Sequence, residues 1–411
     1  MGSNIIGGGA GRNGGPVPTL ARVSGSSEAF GEAGGRNDLL RRHNLALVLR
    51  RVHVAPLTRS GLTRESGLNR STIGALVGEL AERGLVVEDE PAGAGQVGRP
   101  SPVVRPSDGP LAIAVNPEID AVTVATVRLG GRVLAKERLP FPAPPTPEQA
   151  VRSVADAVGR LVTAAGPGHR VVGAGVAMPG IVRRQDGLVR LAPHLEWRDV
   201  PIAALLADAL GLRVDVANDA SLGAQGEWVF GAGRGVADLV YLNGGASGVG
   251  GGIVSGGVLV GGATGHAGEL GHTIIRSGGS VDTIGVRGTL ESEVRRSALL
   301  EVLGLDRADP DELETALLAD GSAEVRREVH RQVDALAVAI GNAVNVLNPS
   351  RIVLGGFLSA LVAAARERLE NRVAVHALPL LGERVDIRRA ELGSNLLLIG
   401  AAELAFAPLF T

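Results

Sequence analysis

The sequence predicts a winged helix-turn-helix followed by a larger α/β body, and two observations support this fold class. Three short helical patterns and two β-rich segments fall between residues 36 and 105. Over most of the remaining chain, β-rich apolar segments alternate with helical segments, as they do in α/β proteins. The chain has 411 residues, of which 45% are hydrophobic and 20% charged, so it is long enough for two or three domains around sizeable cores.

The composition excludes several classes of site. Because there is no Cys, disulfides, thiolate zinc sites, iron–sulfur clusters and a cysteine nucleophile are excluded. Lys136 is the only lysine, which excludes a phosphate-loop or Schiff-base lysine elsewhere. There is no uninterrupted apolar run of about 18 residues, and residues 1–35 are rich in Gly, Ser and Ala without the apolar core of a secretory signal. We therefore predict a disordered arm over residues 1–35, no membrane partner and a cytoplasmic location.

The charge is unevenly distributed along the chain. Residues 36–105 contain 11 Arg and 7 acidic residues, whereas residues 106–411 contain 28 basic and 34 acidic residues. A basic module thus precedes an acidic body, which indicates that the module contacts a polyanion.

The elements of the basic module follow one another in the order of a winged helix-turn-helix. Asn69 is positioned to cap the third helix, which Gly84 ends. A Gly-rich loop then separates two β-rich segments. The predicted elements are helices over residues 39–52, 59–66 and 70–83, a strand starting at residue 85 and a returning strand at residues 103–104.

The polar residues of this module favour a DNA-binding function. A generic three-helix bundle would show the same apolar stripes. However, the third helix opens with Arg70, Ser71 and Thr72, which are suitable donors at the end that would enter a major groove. Arg99 lies in the Gly-rich wing loop, which suits a phosphate path or a narrow minor groove. We therefore predict DNA contacts from these four residues.

The body follows a linker at residues 106–110. Its strands and helices alternate until a closing helix near residues 395–406. The predicted strands cover residues 111–115, 121–127, 171–176, 214–216, 239–242 and 351–354, and the predicted helices cover residues 147–165, 202–210 and 323–347.

Three constellations in the body could carry chemistry. A Gly-rich loop at residues 243–252 follows a buried strand and would allow close approach of a phosphate or another ligand. Glu269 and His272 lie three residues apart between glycines, which suits a metal pair, a polyhydroxyl ligand or merely a polar turn. Asn218 and Asp219 follow a strand directly, where α/β sheets place ligands, although an Asp there is also a common helix cap.

Six motifs, taken in their order and spacing, resemble the ROK family, which groups sugar-responsive transcriptional repressors with sugar kinases. The resemblance runs from about Arg41 to Leu409. The motifs are Gly173–Gly180, His194–Trp197, Asn218-Asp219 with Gly226-Glu227, Gly248–Gly257, Gly268–His272, and Asn348-Pro349 with Gly355-Gly356.

This resemblance implies a two-lobed actin/hexokinase-like (ribonuclease H-like) body after the winged helix-turn-helix domain of residues 36–105. The first lobe would cover residues 106–225, joined by a C-terminal helix at about residues 390–411. The second lobe would cover residues 226–389, with the ligand-site loops and a dimerisation surface. Gly98-Arg99-Pro100 at the wing is similar to the repressor branch rather than the kinase branch.

The resemblance also implies a set of ligand-binding residues. In family members, the positions of Asn218, Asp219, Glu269, His272 and Glu291 hydrogen-bond sugar hydroxyls, for which carboxylate, amide and imidazole groups are well suited. Asp219 would be the general base of a kinase. In this chain we predict that it is a vestigial base.

The first departure from the family pattern concerns phosphate binding. Family kinases have an Asp-x-Gly-Gly-Thr turn after their first strand, whereas this chain reads Asn-Pro-Glu-Ile-Asp at residues 116–120. Pro117 removes an amide donor, and Glu118 and Asp120 would repel a phosphate. We therefore predict no kinase activity and no cofactor.

The second departure concerns zinc, which family members bind through a His and three Cys. Here Asp282, Ile284 and Thr289 stand at the positions of the cysteines, beside His272. Because these side chains are a poor set for structural zinc, we predict no metal. The ligand pocket would then be weakened or retuned to something other than a plain hexose.

The sequence thus predicts a DNA-binding transcriptional regulator, a repressor, whose body senses a sugar or related small ligand without phosphorylating it. Its expected partners are double-stranded operator DNA and the effector, and it is expected to form a homodimer or a dimer of dimers. Two alternatives are an active ATP-dependent sugar kinase and a constitutive DNA-binding regulator with a degraded ligand pocket.

Overall fold

The computed structural model describes residues 32–89, 101–245, 248–382 and 384–411, with side chains from Asp38 onward. The chain divides into two compact units, Met1–Arg42 and His43–Thr411. We call the basic module of residues 36–105 the winged module. The second unit contains most of the winged module together with the whole body.

The winged module has the three helices and the two later strands that the sequence predicts, and a further short strand, at residues 57–58, that it does not. The Asn69 side chain caps α3 by accepting a hydrogen bond from Thr72 N at 2.8 Å. The three strands form an antiparallel sheet in the order β1-β3-β2. The elements are α1 (Glu32–Val54), β1 (Leu57–Thr58), α2 (Arg59–Ser66), α3 (Arg70–Glu82), β2 (Val86–Asp89) and β3 (Val103–Pro106).

The first lobe is built on a five-stranded mixed sheet in the order β11-β7-β4-β5-β6. Strands β8 to β10 form a small separate sheet, and α4 and α5 pack on one face of the large sheet in an apolar core. The elements are β4 (Pro110–Pro117), β5 (Ala121–Arg128), β6 (Val133–Pro140), α4 (Pro147–Ala165), β7 (Arg170–Met178), β8 (Ile181–Arg183), β9 (Leu188–Ala192), β10 (Trp197–Val200), α5 (Ile202–Leu210), β11 (Val214–Asn218) and α6 (Asp219–Phe230).

The second lobe is built on another five-stranded sheet, in the order β14-β13-β12-β15-β16. Its core is formed with the long helices α10 and α11. The elements are β12 (Leu239–Gly244), β13 (Val249–Ser255), β14 (Val258–Leu259), α7 (Leu290–Glu293), α8 (Arg296–Leu303), α9 (Pro310–Ala319), α10 (Ala323–Leu347), β15 (Arg351–Gly356), α11 (Phe357–His376), α12 (Pro379–Gly382) and β16 (Asp386–Arg389). Helix α13 (Leu396–Phe406) follows the second lobe in the chain.

The closing helix α13 packs back on the first lobe, as predicted. Ala401 lies so close to β7 that a Cβ added at Gly175 would be 1.8 Å from its carbonyl oxygen. The segment Gly393–Phe410 has the length and composition of a membrane-spanning helix, but 61% of it is buried inside the protein. A buried core helix can have the same length and composition, so this segment does not indicate a membrane.

Three predicted boundaries differ from the observed elements. Helix α1 begins at Glu32, so the predicted boundary between arm and module at residues 35/36 falls inside a helix. The predicted lobe boundary at residues 225/226 also falls inside a helix, because α6 continues to Phe230. The predicted linker shortens to residues 107–109, because β3 ends at Pro106 and β4 begins at Pro110. The remainder of the predicted arm, residues 1–31, lies outside the described residues.

Candidate functional site

A cavity of about 350 Å³ lies where the carboxyl end of β11 faces loops of the second lobe. We call this cavity the pocket. All five residues that the sequence predicts as ligand-binding line it: Asn218, Asp219, Glu269, His272 and Glu291. Four other polar side chains, for which the sequence predicts no role, also line it: His194, Asn243, His266 and Thr283.

Asn218 has a structural role at the edge of the pocket. It is the last residue of β11, which runs parallel to β7, and it caps helix α6. Its Oδ1 accepts a hydrogen bond from Ser221 N at 3.0 Å, and its Nδ2 donates to the Gly180 carbonyl at 3.1 Å. Since both ends of the amide are engaged with the backbone, Asn218 fixes the start of α6 and the turn at Gly180.

Asp219 is the first residue of α6 and is half-buried in the pocket wall. One carboxylate oxygen, Oδ1, accepts a hydrogen bond from Ala220 N at 2.7 Å. Burial, with a smaller contribution from the nearby charge of Glu269, raises the pKa of Asp219 to about 6. A carboxyl group that titrates near neutral pH can exchange a proton with a ligand hydroxyl.

His272 and Glu291 lie on the opposite wall, in the second lobe. His272 ends a short 3-10 turn and its ring is one-third exposed. Its Nδ1 is 3.3 Å from Asp282 Oδ2 and 3.7 Å from Glu291 Oε1. Glu291 Oε1 also accepts a hydrogen bond from Thr283 Oγ1 at 3.1 Å. The pocket is therefore rich in acceptors, as a ligand with several hydroxyl groups requires.

Three side chains lie at the position where the resemblance implies a zinc site. His272, Asp282 and Glu291 each bring one ligand atom to a group in which all atoms lie within 4.8 Å of one another. Both Asp282 oxygens, however, already accept hydrogen bonds, and the remaining positions carry Ile284 and Thr289. This donor set does not fit a structural zinc ion, which prefers Cys and His ligands.

Residues 249–252 of the predicted Gly-rich loop belong to strand β13 instead, and two of their glycines allow α6 to pack closely on this strand. A Cβ added at Gly252 would be 2.5 Å from the Ala224 Cβ, and one at Gly250 would be 2.7 Å from the Ala220 Cβ. Ala246 and Ser247, between β12 and β13 in the chain, lie outside the described residues. These two glycines thus have a packing role, whatever ligand the pocket takes.

The turn at residues 116–120 closes the hairpin between β4 and β5. The Glu118 amide donates to the Ala121 carbonyl at 2.7 Å. Arg138 pairs with Glu118 at 3.2 Å and with Asp120 at 2.7 Å. Two carboxylates therefore occupy this turn with their own counter-ion, in place of a glycine-lined phosphate cradle.

The predicted DNA-contact residues of α3 lie at its N-terminus. Arg70 and Ser71 are exposed, and Thr72 is half-buried. The Ser71 hydroxyl donates to the capping side chain of Asn69 at 2.7 Å, whereas Arg70 has no ion pair within the described part of the chain. Arg99, the fourth predicted residue, falls within residues 90–100, which lie outside the described residues.

A second cluster, which sequence reasoning missed, connects the winged module to the body. We call it the joint: His53 of α1, Glu403 of α13, and the rings of Phe230, Phe406 and Phe410. The His53 ring lies 5.0 Å from the Phe230 ring and 5.0 Å from the Phe410 ring, between centroids. A lone His on a helix carries no signal in the sequence that would have indicated this contact.

The hydrogen bonds of the joint determine the His53 tautomer. Gly130 N donates to His53 Nδ1 at 2.9 Å, so Nδ1 is an acceptor. His53 Nε2 therefore carries the proton and donates it to Glu403 Oε1 at 2.8 Å. The side chains of His53 and Glu403 are only 3% and 6% exposed, so the pair is formed away from water.

Comparison with known proteins places this fold in a family. The ROK family profile matches residues 113–407. The xylose repressor of Caldicellulosiruptor bescii is 27% identical over 355 residues, covering 82% of this chain and 88% of the repressor. The glucokinase of Streptomyces coelicolor is 30% identical over 322 residues, covering 72% of this chain and 98% of the kinase.

A solved structure has a similar fold over most of the chain. It is a ROK family transcriptional regulator described as a homologue of the Escherichia coli Mlc protein, with a TM-score of 0.73 and 22% identity, and it covers 90% of this chain and 97% of its own. The matches to this regulator and to the xylose repressor are longer than residues 110–411 alone can supply, so they extend into the winged module.

Proposed function

The chain belongs to the ROK family, and we propose that it is a cytoplasmic DNA-binding transcriptional regulator, a repressor, whose kinase-like body senses a sugar or related small ligand without phosphorylating it. One observation carries this proposal: a module with the elements of a winged helix-turn-helix is joined to a body whose pocket gathers carboxylates and imidazoles. The similarity to a xylose repressor, which extends into the module, supports it.

The DNA-binding face is the exposed start of α3. Arg70 is positioned for a base edge or a phosphate, and Ser71 and Thr72 lie beside it. Helix N-termini of this kind enter the major groove in helix-turn-helix proteins. Because one such module binds weakly, the regulator acts as a homodimer on a two-fold operator.

The ligand-binding face is the pocket. Asp219 stands on one wall, and Glu269, His272 and Glu291 on the other. A sugar bound to both walls favours the closed arrangement of the two lobes, because only that arrangement satisfies its hydroxyls on both sides.

Helix α6 connects the pocket to the winged module. It begins at Asp219, in the pocket wall, and ends at Phe230, whose ring contacts His53 of α1. Twelve residues of helix span about 18 Å. A shift at the pocket end of α6 therefore reaches the base of the DNA-binding module, and the effector changes DNA affinity by favouring one of two arrangements.

The absence of phosphorylation follows from the turn at residues 116–120. Glu118 and Asp120 occupy it, paired with Arg138. Phosphoryl transfer depends on positioning and on neutralising the charge of the phosphates, and two carboxylates act against both.

A sugar kinase is the second candidate function. Asp219, with a pKa of about 6, has the protonation behaviour of a general base, and the glucokinase of Streptomyces coelicolor is a relative. An ATP-consumption assay with D-glucose and D-xylose distinguishes the two candidates. ATP turnover that Asp219→Ala abolishes would establish the kinase.

DNA binding is tested with a matched pair of variants on α3. Arg70→Ala is expected to weaken DNA binding by about 1–3 kcal/mol if Arg70 contacts a base. If Arg70 contacts a phosphate instead, the slope of log affinity against log salt concentration is expected to fall by about one. The control is Arg83→Ala, at the C-terminal end of the same helix, where Arg83 pairs with Glu79. Arg99→Ala in the wing is expected to weaken binding as well.

Fluorescence anisotropy across a salt series measures these effects. Equal loss from Arg70→Ala and Arg83→Ala would contradict the assignment of α3 as the contact helix. Binding that no sugar alters, in wild type and in Asp219→Ala alike, would favour a constitutive regulator.

A further inference from the structure

The loop at residues 281–289 is organised by a single carboxylate. Asp282 Oδ1 accepts hydrogen bonds from Ile284 N at 3.1 Å and Val286 N at 2.7 Å. Its Oδ2 lies 3.1 Å from Thr289 Oγ1, which donates to it, and 3.3 Å from His272 Nδ1. The side chain of Asp282 has no exposed surface, so none of these bonds competes directly with water.

We infer that the Asp282 carboxylate replaces a metal ion as the centre of this loop, and that it positions His272 for the ligand. One buried anion joins the turn at residues 282–286, the start of α7 through Thr289, and the 3-10 turn that ends at His272. These connections are the ones that a bound ion would otherwise supply.

The hydrogen bonds indicate that Asp282 is in its acceptor-only form. Its Oδ1 accepts from two backbone amides and its Oδ2 accepts from the Thr289 hydroxyl, so donors occupy both oxygens.

An ionised carboxylate also determines which nitrogen of His272 carries the proton. Because the carboxylate can only accept, His272 Nδ1 must be the donor in their hydrogen bond. Nε2 is then the ring nitrogen that remains for the pocket, as an acceptor for a ligand hydroxyl. Glu291, whose Oε1 is 3.7 Å from the same Nδ1, reinforces this tautomer.

This inference rests on the proposed function only where it concerns a ligand. The tautomer of His272 and the metal content of the protein can be measured without sugar or DNA. A result that contradicts this inference can therefore be distinguished from a result that contradicts the proposed function.

The first test is NMR of the full chain labelled with ¹⁵N in its eight histidines. Long-range ¹H–¹⁵N correlations report the tautomer, and His272→Gln assigns the signal. We expect Nδ1–H for His272 and Nε2–H for His53, so His53 is an internal reference for intact folding.

Asp282→Asn gives the decisive result. The amide oxygen must stay with the backbone donors Ile284 N and Val286 N, so the amide NH₂ group faces His272 Nδ1. His272 is then expected to invert to the Nε2–H tautomer, and Asp282→Ala to give a mixture. Asp320→Asn is the matched control, because Asp320 accepts from Ser322 N at 2.7 Å in an exposed turn. An unchanged Nδ1–H signal in Asp282→Asn would overturn the inference.

The second test uses zinc alone. We expect substoichiometric zinc in the purified protein and no change in melting temperature on adding zinc or a chelator. One zinc ion per chain, with a chelator lowering the melting temperature, would overturn the inference, because the metal would then hold the loop.

Discussion

Two histidine–carboxylate pairs in this molecule use opposite tautomers for different purposes. In the joint, His53 donates from Nε2 to Glu403 at 2.8 Å, and both side chains are almost completely buried. In the pocket, His272 donates from Nδ1 to Asp282 at 3.3 Å, and the ring is one-third exposed. The first pair uses both ring nitrogens within the protein, whereas the second leaves one for a ligand.

This difference distinguishes a pair that only holds the protein together from a pair that can contact a ligand. The rings of Phe230, Phe406 and Phe410 surround His53, so the joint is a packed contact that must stay intact for the module to be held in place. In the pocket pair, backbone amides donate hydrogen bonds to Asp282, and one side of the His272 ring stays exposed to the pocket. Helix α6 runs between the two.

The largest expected effect is on the joint. Glu403→Ala leaves the buried Nε2–H of His53 without an acceptor and is expected to lower the free energy of unfolding by about 3 kcal/mol. Glu403→Gln keeps an acceptor oxygen and is expected to cost less than half of that. Urea unfolding measures both, with Glu367→Ala on the exposed face of α11 as a control. A loss no greater than that of Glu367→Ala would show that the joint contributes nothing.

The next effect concerns the pocket and its pH dependence. The pKa of Asp219 is raised to about 6, so the carboxyl is protonated below that pH and ionised above it. If hydroxyl donors bind the ionised form, affinity rises with pH and gains about tenfold between pH 5 and pH 7. Calorimetric titration with the effector at several pH values tests this, and Asp219→Asn is expected to flatten the profile. Affinity that falls as pH rises would contradict the role of Asp219.

The smallest expected effect concerns the connection between the two regions. Phe230→Leu removes the ring contact with His53 at the far end of α6 but leaves the pocket intact. The effector should bind with unchanged affinity, while its effect on DNA affinity falls about fivefold, which is about 1 kcal/mol of coupling. Sugar titrations and DNA titrations with and without sugar separate the two quantities. A parallel loss of sugar affinity would indicate a packing defect instead.

Much of the fold could be predicted because its signals are local. Asn69 caps α3 as predicted, and the alternation of strands and helices in the body matches the observed order. The predicted boundaries at residues 35/36 and 225/226 fall inside helices, because α1 begins at Glu32 and α6 continues to Phe230. Helix ends depend on packing that a residue pattern does not contain.

Local patterns singled out Asn218, Asp219, Glu269 and His272. Only the family resemblance grouped them with Glu291, because these residues come from distant segments that the fold brings together. Asn218 lines the pocket, but both ends of its amide are hydrogen-bonded to the backbone, which no motif reveals. The joint had no signal at all, since His53 and Glu403 are 350 residues apart and look like ordinary helix residues. The organising role of Asp282 likewise depends on hydrogen bonds that only the structure supplies.

The most direct measurement of the central proposal is fluorescence anisotropy of the full chain on DNA from upstream of its own gene and on genomic fragments. A panel of sugars and sugar phosphates, D-xylose and D-glucose among them, is added across a salt series. The proposal predicts tight, salt-dependent binding that one of these ligands releases, with release lost in Asp219→Ala. The absence of specific binding on all fragments, together with ATP-dependent phosphorylation of a sugar, would contradict it and establish a kinase.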